Sequence, residues 1–407
     1  MPASKLVNGA SFVLLAGYVF ALAFGMPIER GFSDAGLGDF ALNLHQSEDV
    51  RSRYGYRALG EESEGFLYPP PYVVWKLVFS TLGLSASGLL WALASALAVL
   101  GSLVLSLSLL DLRADPSRWT MALLALVSIG YFVEWDLKAV NCNSVYLFLV
   151  LSFLWLLERG HSAAAGALLA TSVALKLYSV FFLPYLLLKK EYRALGAAVA
   201  ATLFFFAVVP GLYFSYPGAL EIGQSWVRAI ASHSSADAPL YIPAYIVSLQ
   251  RALLGLLHGP EGTGLSPATV LRLAQILQAV WLGLVAVSLA TTVRSNARPG
   301  TRRLVEGAVL MLLPLPWSPM VQPHHGVVAL PTALVVTHAA FQARGGRRAF
   351  FASVLAATYL LLQFGPTGPL RGLGIHLVFA ILMTALTSAM HISVSKRRGG
   401  ETRGGGE

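Results

Sequence analysis

Hydrophobic positions along this chain come in long runs rather than in strict alternation or one-sided helical stripes. The runs lie near 6–26, 86–110, 119–135, 143–158, 194–213, 273–293, 303–316, 326–341, 349–364 and 373–393, separated by shorter polar stretches. A helix rises about 1.5 Å per residue, so about 20 apolar residues cross a bilayer core of about 30 Å. The pattern predicts an all-α polytopic membrane protein, a bundle of about 10–12 transmembrane helices and half-helices with outward-facing polar loops.

Two apolar segments do not fit simple crossings. Residues 71–83 are too short to span and are expected to form an interfacial or half helix. Ala163 to Leu188 lies between Arg159 and Lys189, both of which belong on the same side. Its length corresponds to about 39 Å of helix, enough for one crossing but not for two. We therefore expect a pair of half-helices broken near Lys176-Leu-Tyr-Ser179, with a single tilted span and a snorkelling Lys176 as the alternative. Broken helices are tolerated at membrane depth where they line a cavity, which makes Lys176 a candidate site residue.

Charge sets the orientation. Apolar residues make up 56% of the chain and charged ones 12%, with a net charge of +9. Most of the cations fall in short clusters between apolar runs, such as Lys189/Lys190/Arg193, Arg294/Arg298/Arg302/Arg303 and Arg344/Arg347/Arg348. That distribution marks cytoplasmic loops and puts both termini in the cytoplasm. The basic balance thus reports topology and anionic lipid, not a nucleic-acid partner. Residues 1–395 read as one membrane domain and 396–407 as a disordered basic, Gly-rich cytoplasmic tail. Ala21-Leu22-Ala23 faintly matches a signal-peptidase site, but the first run is read as an uncleaved span. The single cysteine, Cys142, excludes an internal disulfide framework and a cysteine-based metal site.

The sizeable polar segments then all face outward. They are Gly31–Pro71, the turn Glu134–Asn141, the 213–272 loop with Trp226, Arg228, His233, Asp237 and Tyr241–Tyr245, and the turn Pro316–His325. Carboxylates, histidines, arginines and aromatics brought together outside suit sugar transfer. A carboxylate takes the proton of an attacking hydroxyl, and cations stabilise a leaving phosphate. No P-loop or dinucleotide fingerprint is present, so a cytoplasmic nucleotide-sugar donor has no visible pocket. Glu48, Asp49 and Glu61-Glu62-Ser-Glu64 read as solvated charges; His45 reads as a surface group, with orientation of Asp39, about one helical turn away, as the lesser alternative.

Several short elements, in order, carry a resemblance. They are Gly38-Asp39-Phe40, Phe66-Leu67-Tyr68-Pro69-Pro70, Lys138-Ala-Val-Asn141, Ala165-Gly-Ala-Leu-Leu-Ala170 leading to Leu175-Lys-Leu-Tyr178 and Pro184, and Trp317-Ser-Pro319 with His324-His325. Over about residues 6–395 the chain resembles glycosyltransferase family 87, a branch of the membrane-embedded GT-C superfamily. It departs at Lys138-Ala-Val-Asn141, where the family often has a Gln-Val-Asn element, and at Gln322, where a Trp is frequent. The resemblance implies inverting transfer of a hexosyl, mannosyl-type sugar from polyprenyl phosphate to a lipid or glycan acceptor. The reaction would occur on the outer face of a bacterial cytoplasmic membrane. It implies Asp39 as general base, His324 and His325 in the active site, and Lys176 on the donor phosphate. Tyr68, Asn141, Tyr178 and Arg228 complete the expected donor and acceptor contacts. No cofactor is expected. A divalent ion on Asp39 is the alternative, disfavoured because no second acid stands two residues on. The competing functions are a secondary transporter or lipid flippase, and a surface-polysaccharide polymerase or ligase.

Overall fold

The computed structural model describes residues 3–31, 33–57, 66–233, 248–258, 264–318, 321–364 and 369–401, and among them every regular element is a helix. Among the described residues five helical stretches are long and apolar enough to cross a membrane: Leu6–Arg30, Leu84–Leu109, Tyr192–Phe214, Pro267–Arg294 and Gly372–Met390. The pair Arg118–Ser128 and Gly130–Lys138 makes a sixth crossing if counted as one bent span. The chain is thus an all-α polytopic membrane protein. Most of the remaining apolar runs form helices shorter than a full crossing, such as Asn143–Glu158 and Ser162–Leu175.

The fold divides into two compact units, each assembled from separate stretches of chain. Gly17–Gly101 with Glu134–Pro243 form the Asp39 unit; Met1–Ala16, Ser102–Val133 and Ala244–Glu407 form the His324 unit.

In chain order the helices begin with α1 (Ala3–Arg30), the short α2 (Asp34–Leu37), α3 (Asp39–Arg53), α4 (Pro70–Ser80) and α5 (Leu84–Leu109). Helix α4 starts on Pro70-Pro71, where a fixed φ and a missing N–H cost nothing. Its 11 residues are too few to span, as expected for 71–83. Next come α6 (Arg118–Ser128), α7 (Gly130–Lys138), α8 (Asn143–Glu158) and α9 (Ser162–Leu175). The sequence suggested a straight third span and an outer turn over Glu134–Asn141. Instead Ile129 leaves helical geometry, the chain bends by 76°, and Glu134–Lys138 are helical.

Helix α9 stops at Leu175, and Lys176 is extended at φ −154°, ψ 125°. A 3-10 turn (Leu177–Phe181) and α10 (Phe182–Leu188) follow, so the break falls at the expected lysine. Helix α9 packs on α8 and on α11 (Tyr192–Leu203). Gly166 permits the close approach, since a Cβ there would run into the Ala194 carbonyl. A π-type turn and α12 (Val209–Phe214) complete that span, and α13 (Tyr216–His233) follows.

The His324 unit adds α14 (Leu249–Leu257), α15 (Pro267–Arg294), α16 (Pro299–Leu312), α17 (Leu330–Gln342), α18 (Gly346–Phe364) and α19 (Pro369–Glu401). Its core is tied by Phe132 on Phe379 at 5.5 Å and by the Ser288–Thr387 hydroxyl pair at 2.6 Å.

Candidate active site

Gly38 and the end of α7 together position Asp39. Gly38 sits at φ +48°, a conformation that favours glycine, and an added Cβ would press on Ala139 at 3.2 Å. The chain can therefore turn into α3 with the Asp39 N–H donating to the Ala139 carbonyl at 2.9 Å. Phe40, Ala41 and Leu44 are buried and anchor the helix behind it. On the facing strand of chain, Val140 is held at φ +51°. A β-branched residue in that region costs about 1–3 kcal/mol and persists only where its surroundings demand it. Here the turn aims Asn141 at Asp39.

Asn141 is the hub. Its Nδ2 donates to Asp39 Oδ2 at 2.6 Å, and its Oδ1 accepts from the Cys142 N–H at 2.6 Å and Asn143 Nδ2 at 2.9 Å. The Tyr68 hydroxyl stands 3.5 Å from the same oxygen, and Trp91 Nε1 donates to the Asn141 carbonyl at 3.2 Å. Asn143 extends the network: its Nδ2 also reaches Asp136 Oδ1 at 2.8 Å, and its Oδ1 accepts from Lys176 Nζ. Asp136 is further held by the Ser144 N–H at 2.9 Å and by the Ser144 hydroxyl. The extended backbone at Lys176 lets that side chain leave α9 and turn inward, and the Ser172–Ser179 hydroxyl bond of 2.7 Å closes the break behind it. The rings of Tyr68 and Tyr178 lie 5.8 and 5.6 Å from Nζ, within cation–π range. The structure thus joins Asp39, Tyr68, Asn141, Lys176 and Tyr178 through one network, buried at Asn141 and Lys176 and half-buried at Asp39, Tyr68 and Tyr178.

A second lysine stands beside it. Lys76 of α4 is 2% exposed, and its Nζ lies 3.5 Å from the Phe40 ring centre, 4.7 Å from Trp91 and 5.5 Å from Tyr72. It has no hydrogen-bond partner among the described residues. Each ring contact offsets about 0.5–2 kcal/mol, against several for stripping water from an ammonium. Burial therefore pulls Lys76 down from 10.5 to about 7, despite the opposing pull of Asp39. Burial also pushes the Asp39 carboxyl above its ordinary 3.8, moderated by the Asn141 hydrogen bond and by the charges of Lys176 and Lys76. A carboxylate so destabilised in its charged form is a better proton acceptor than a solvated one.

Other expected residues make contacts of their own. His45 does not orient Asp39; its ring pairs with the exposed Asp34 of α2 at 3.2 Å and with Glu48, one turn on, at 3.6 Å. Asp49 is held by Arg57 at 2.8 Å, which lowers its carboxyl from the ordinary value. Arg228 is exposed on α13 and makes no hydrogen bond or ion pair among the described residues. His324 and His325 belong to the His324 unit, buried in the 3-10 turn Pro323–Ala329. There His325 Nδ1 accepts from the Gln322 N–H at 2.9 Å. Glu61, Glu62, Glu64, Asp237, Tyr241–Tyr245 and Pro319 lie outside the described residues. No group of three or more His, Cys, Asp or Glu suited to a metal occurs among the described residues.

Asp136, Asn143 and Lys76 were not singled out from sequence. Signals existed: Asn141-Cys-Asn143 doubles the amide, and a lone lysine in Tyr72-Val-Val-Trp-Lys-Leu is the intramembrane cation pattern that marks function.

Compared with protein-family models, the chain matches glycosyltransferase family 87 over residues 66–316, more than half its length. The matched stretch contains Tyr68, Lys76, Asp136, Asn141, Asn143, Lys176 and Tyr178, whereas Asp39, His324 and His325 fall outside it. No curated protein and no solved structure gave a match. On the family match and on helices of membrane-spanning length, the chain belongs to glycosyltransferase family 87 and is a membrane glycosyltransferase.

Proposed function

We propose that this glycosyltransferase moves a hexosyl, mannosyl-type group from a polyprenyl-phosphate-linked sugar to a lipid or glycan acceptor. The reaction is assigned to the outer face of the cytoplasmic membrane, with both termini inside, and proceeds with inversion. One observation carries the reading: a half-buried carboxylate, Asp39, held at 2.6 Å by Asn141 in a network that ends on the Lys176 ammonium.

In this mechanism Asp39 takes the proton of an acceptor hydroxyl as that oxygen bonds to the anomeric carbon. The bond from that carbon to the phosphate oxygen breaks on the opposite side, and polyprenyl phosphate leaves with the electron pair. Asn141 fixes the carboxylate so that one oxygen keeps its orientation through the transfer. Lys176 neutralises the departing phosphate, and the Tyr68 and Tyr178 rings around it offer faces for the sugar or the isoprenoid. Arg228 is retained as an exposed phosphate contact. His324 and His325 keep their proposed catalytic place on the resemblance rather than on geometry. Family membership supports this reading over a transporter or flippase, and the donor-lipid requirement is shared with a polymerase or ligase.

The test is purified protein in nanodiscs with radiolabelled polyprenyl-phosphate mannose and a crude lipid-acceptor extract, comparing wild type with Asp39→Asn. Loss of transfer by about 10²–10⁴-fold with an unchanged melting profile is expected. Equal transfer by both forms would remove Asp39 from the base role. Transfer by neither would reject mannose as the sugar and direct the assay to other polyprenyl-phosphate sugars.

A further inference from the structure

A cleft of about 1320 Å³ opens within the His324 unit, lined entirely by residues of that unit. Two membrane-length helices stop at it and a third runs past it. Helix α5 ends at Leu109, beside the lining residues Leu110 and Leu112; α15 ends at Arg294, two residues before Asn296; α19 passes the cleft at the lining residues Ala389 and Met390 and continues to Glu401. Helices of that length run from one boundary of the hydrocarbon to the other, so a cleft at their shared end lies at headgroup depth.

Its chemistry is divided. Val335, Phe351 and Met390, all buried, supply an apolar floor. Arg298, Arg344 and Arg347 stand on the rim. Asp111 is the one acid in the lining, and it is ion-paired with Arg298. Arg344 and Arg347 are exposed and make no hydrogen bond or ion pair among the described residues. Two guanidinium groups thus remain uncompensated at the mouth of an apolar recess. Guanidinium forks match phosphate oxygens, and basic pockets between helices on this side of a membrane are suited to anionic headgroups.

We propose that this cleft binds the phosphate headgroup of an anionic phospholipid. Arg344 and Arg347 hold the phosphate oxygens, and the floor receives the first acyl carbons. A free phosphate would satisfy the arginines but leave the floor unused. None of its lining residues belongs to the Asp39 network.

The experiment titrates the full-length detergent-purified protein with dioctanoyl phosphatidylglycerol, dioctanoyl phosphatidylcholine and inorganic phosphate, read by microscale thermophoresis. Saturable binding of phosphatidylglycerol alone is expected. Arg344→Ala with Arg347→Ala should weaken it about 25-fold, roughly fivefold per lost cation near a membrane surface. Ala339→Trp, which fills the cleft without touching its charge, should weaken it by about tenfold or more. Lys189→Ala with Arg193→Ala, an equal charge loss outside the cleft, should change it less than about twofold. Equal losses from both cation pairs, or full binding by Ala339→Trp, would reduce the effect to surface attraction and overturn the site. Inorganic phosphate binding as tightly as phosphatidylglycerol would overturn the lipid assignment.

Discussion

Two lysines of the Asp39 unit are buried to a similar degree, 8% exposed for Lys176 and 2% for Lys76, yet the fold treats them in opposite ways. Lys176 sits at a helix break and donates to Asn143. Lys76 sits within an unbroken helix, surrounded by Phe40, Tyr72 and Trp91, with no hydrogen-bond partner among the described residues. Burial disfavours the charged form of both. Only Lys176 is given a polar partner that belongs to a larger network, so its charge is built into the structure. The charge on Lys76 is conditional, and pH near neutrality decides it. On the proposed function, the difference separates a cation placed for binding a phosphate from one placed to tune a neighbouring carboxylate.

Lys176→Met tests the first half with the largest expected effect. Transfer should fall by about 10²–10³-fold, as when one preorganised group facing developing charge is removed. Stability should also drop by about 1–3 kcal/mol, because Asn143 Oδ1 loses its donor inside the fold. Transfer assays and denaturant melts read the two separately. A loss no larger than that of Lys76→Met would break the distinction between the two lysines.

Lys76→Met should behave differently, with a smaller effect on rate and a change in pH dependence. Methionine fills the aromatic cage without a charge to desolvate, so the protein should be as stable or more stable at pH 6. The sign above neutrality follows from linkage. Folded Lys76 titrates at about 7 and the unfolded chain near the ordinary 10.5, so between those values the unfolded state holds more protons. Wild-type stability should therefore gain a rising contribution between those limits that Lys76→Met lacks. For transfer, removing the cation removes one influence that lowers the Asp39 carboxyl, and the acid limb of kcat/KM should move to higher pH. That displacement should be confined to pH below about 7, where Lys76 is charged. Parallel stability curves and an unmoved acid limb would make Lys76 a packing residue only.

Much of the fold was legible in the sequence because apolar run length and charge position are local properties. They gave the all-helical membrane class, the short helix near 71–83 and the break at Lys176. The 76° bend at Ile129 was not read, although Ser128 and Gly130 flanking it are a Ser/Gly pairing of the kind at which helices kink. The site was half legible. Asp39, Asn141 and Lys176 stood in recognisable elements, but Asp136 and Asn143 acquire meaning only through hydrogen bonds to partners that local pattern does not specify. The lesser reading of His45, orientation of Asp39, fails for the same reason: proximity in sequence does not specify the partner, and Asp34 and Glu48 take its ring instead.

A third lysine sharpens the comparison with the smallest expected effect. Lys138 belongs to the same Lys138-Ala-Val-Asn141 element as the hub asparagine, and sequence alone treats the element as a unit. The structure divides it. Lys138 is 41% exposed and pairs with Glu134 at 2.6 Å one helical turn back, whereas Asn141 is 2% exposed and holds Asp39. An exposed i,i+4 pair contributes about 0.3–0.5 kcal/mol and is screened by salt. Lys138→Gln should therefore cost no more than that in a melt and leave transfer within about twofold, while Asn141→Ala releases the carboxylate and should lower transfer by at least about tenfold. If Lys138→Gln matched Asn141→Ala, proximity in the sequence rather than burial and hydrogen bonding would be the guide to function in this element, and the division between built-in and solvated lysines would fail at its clearest point.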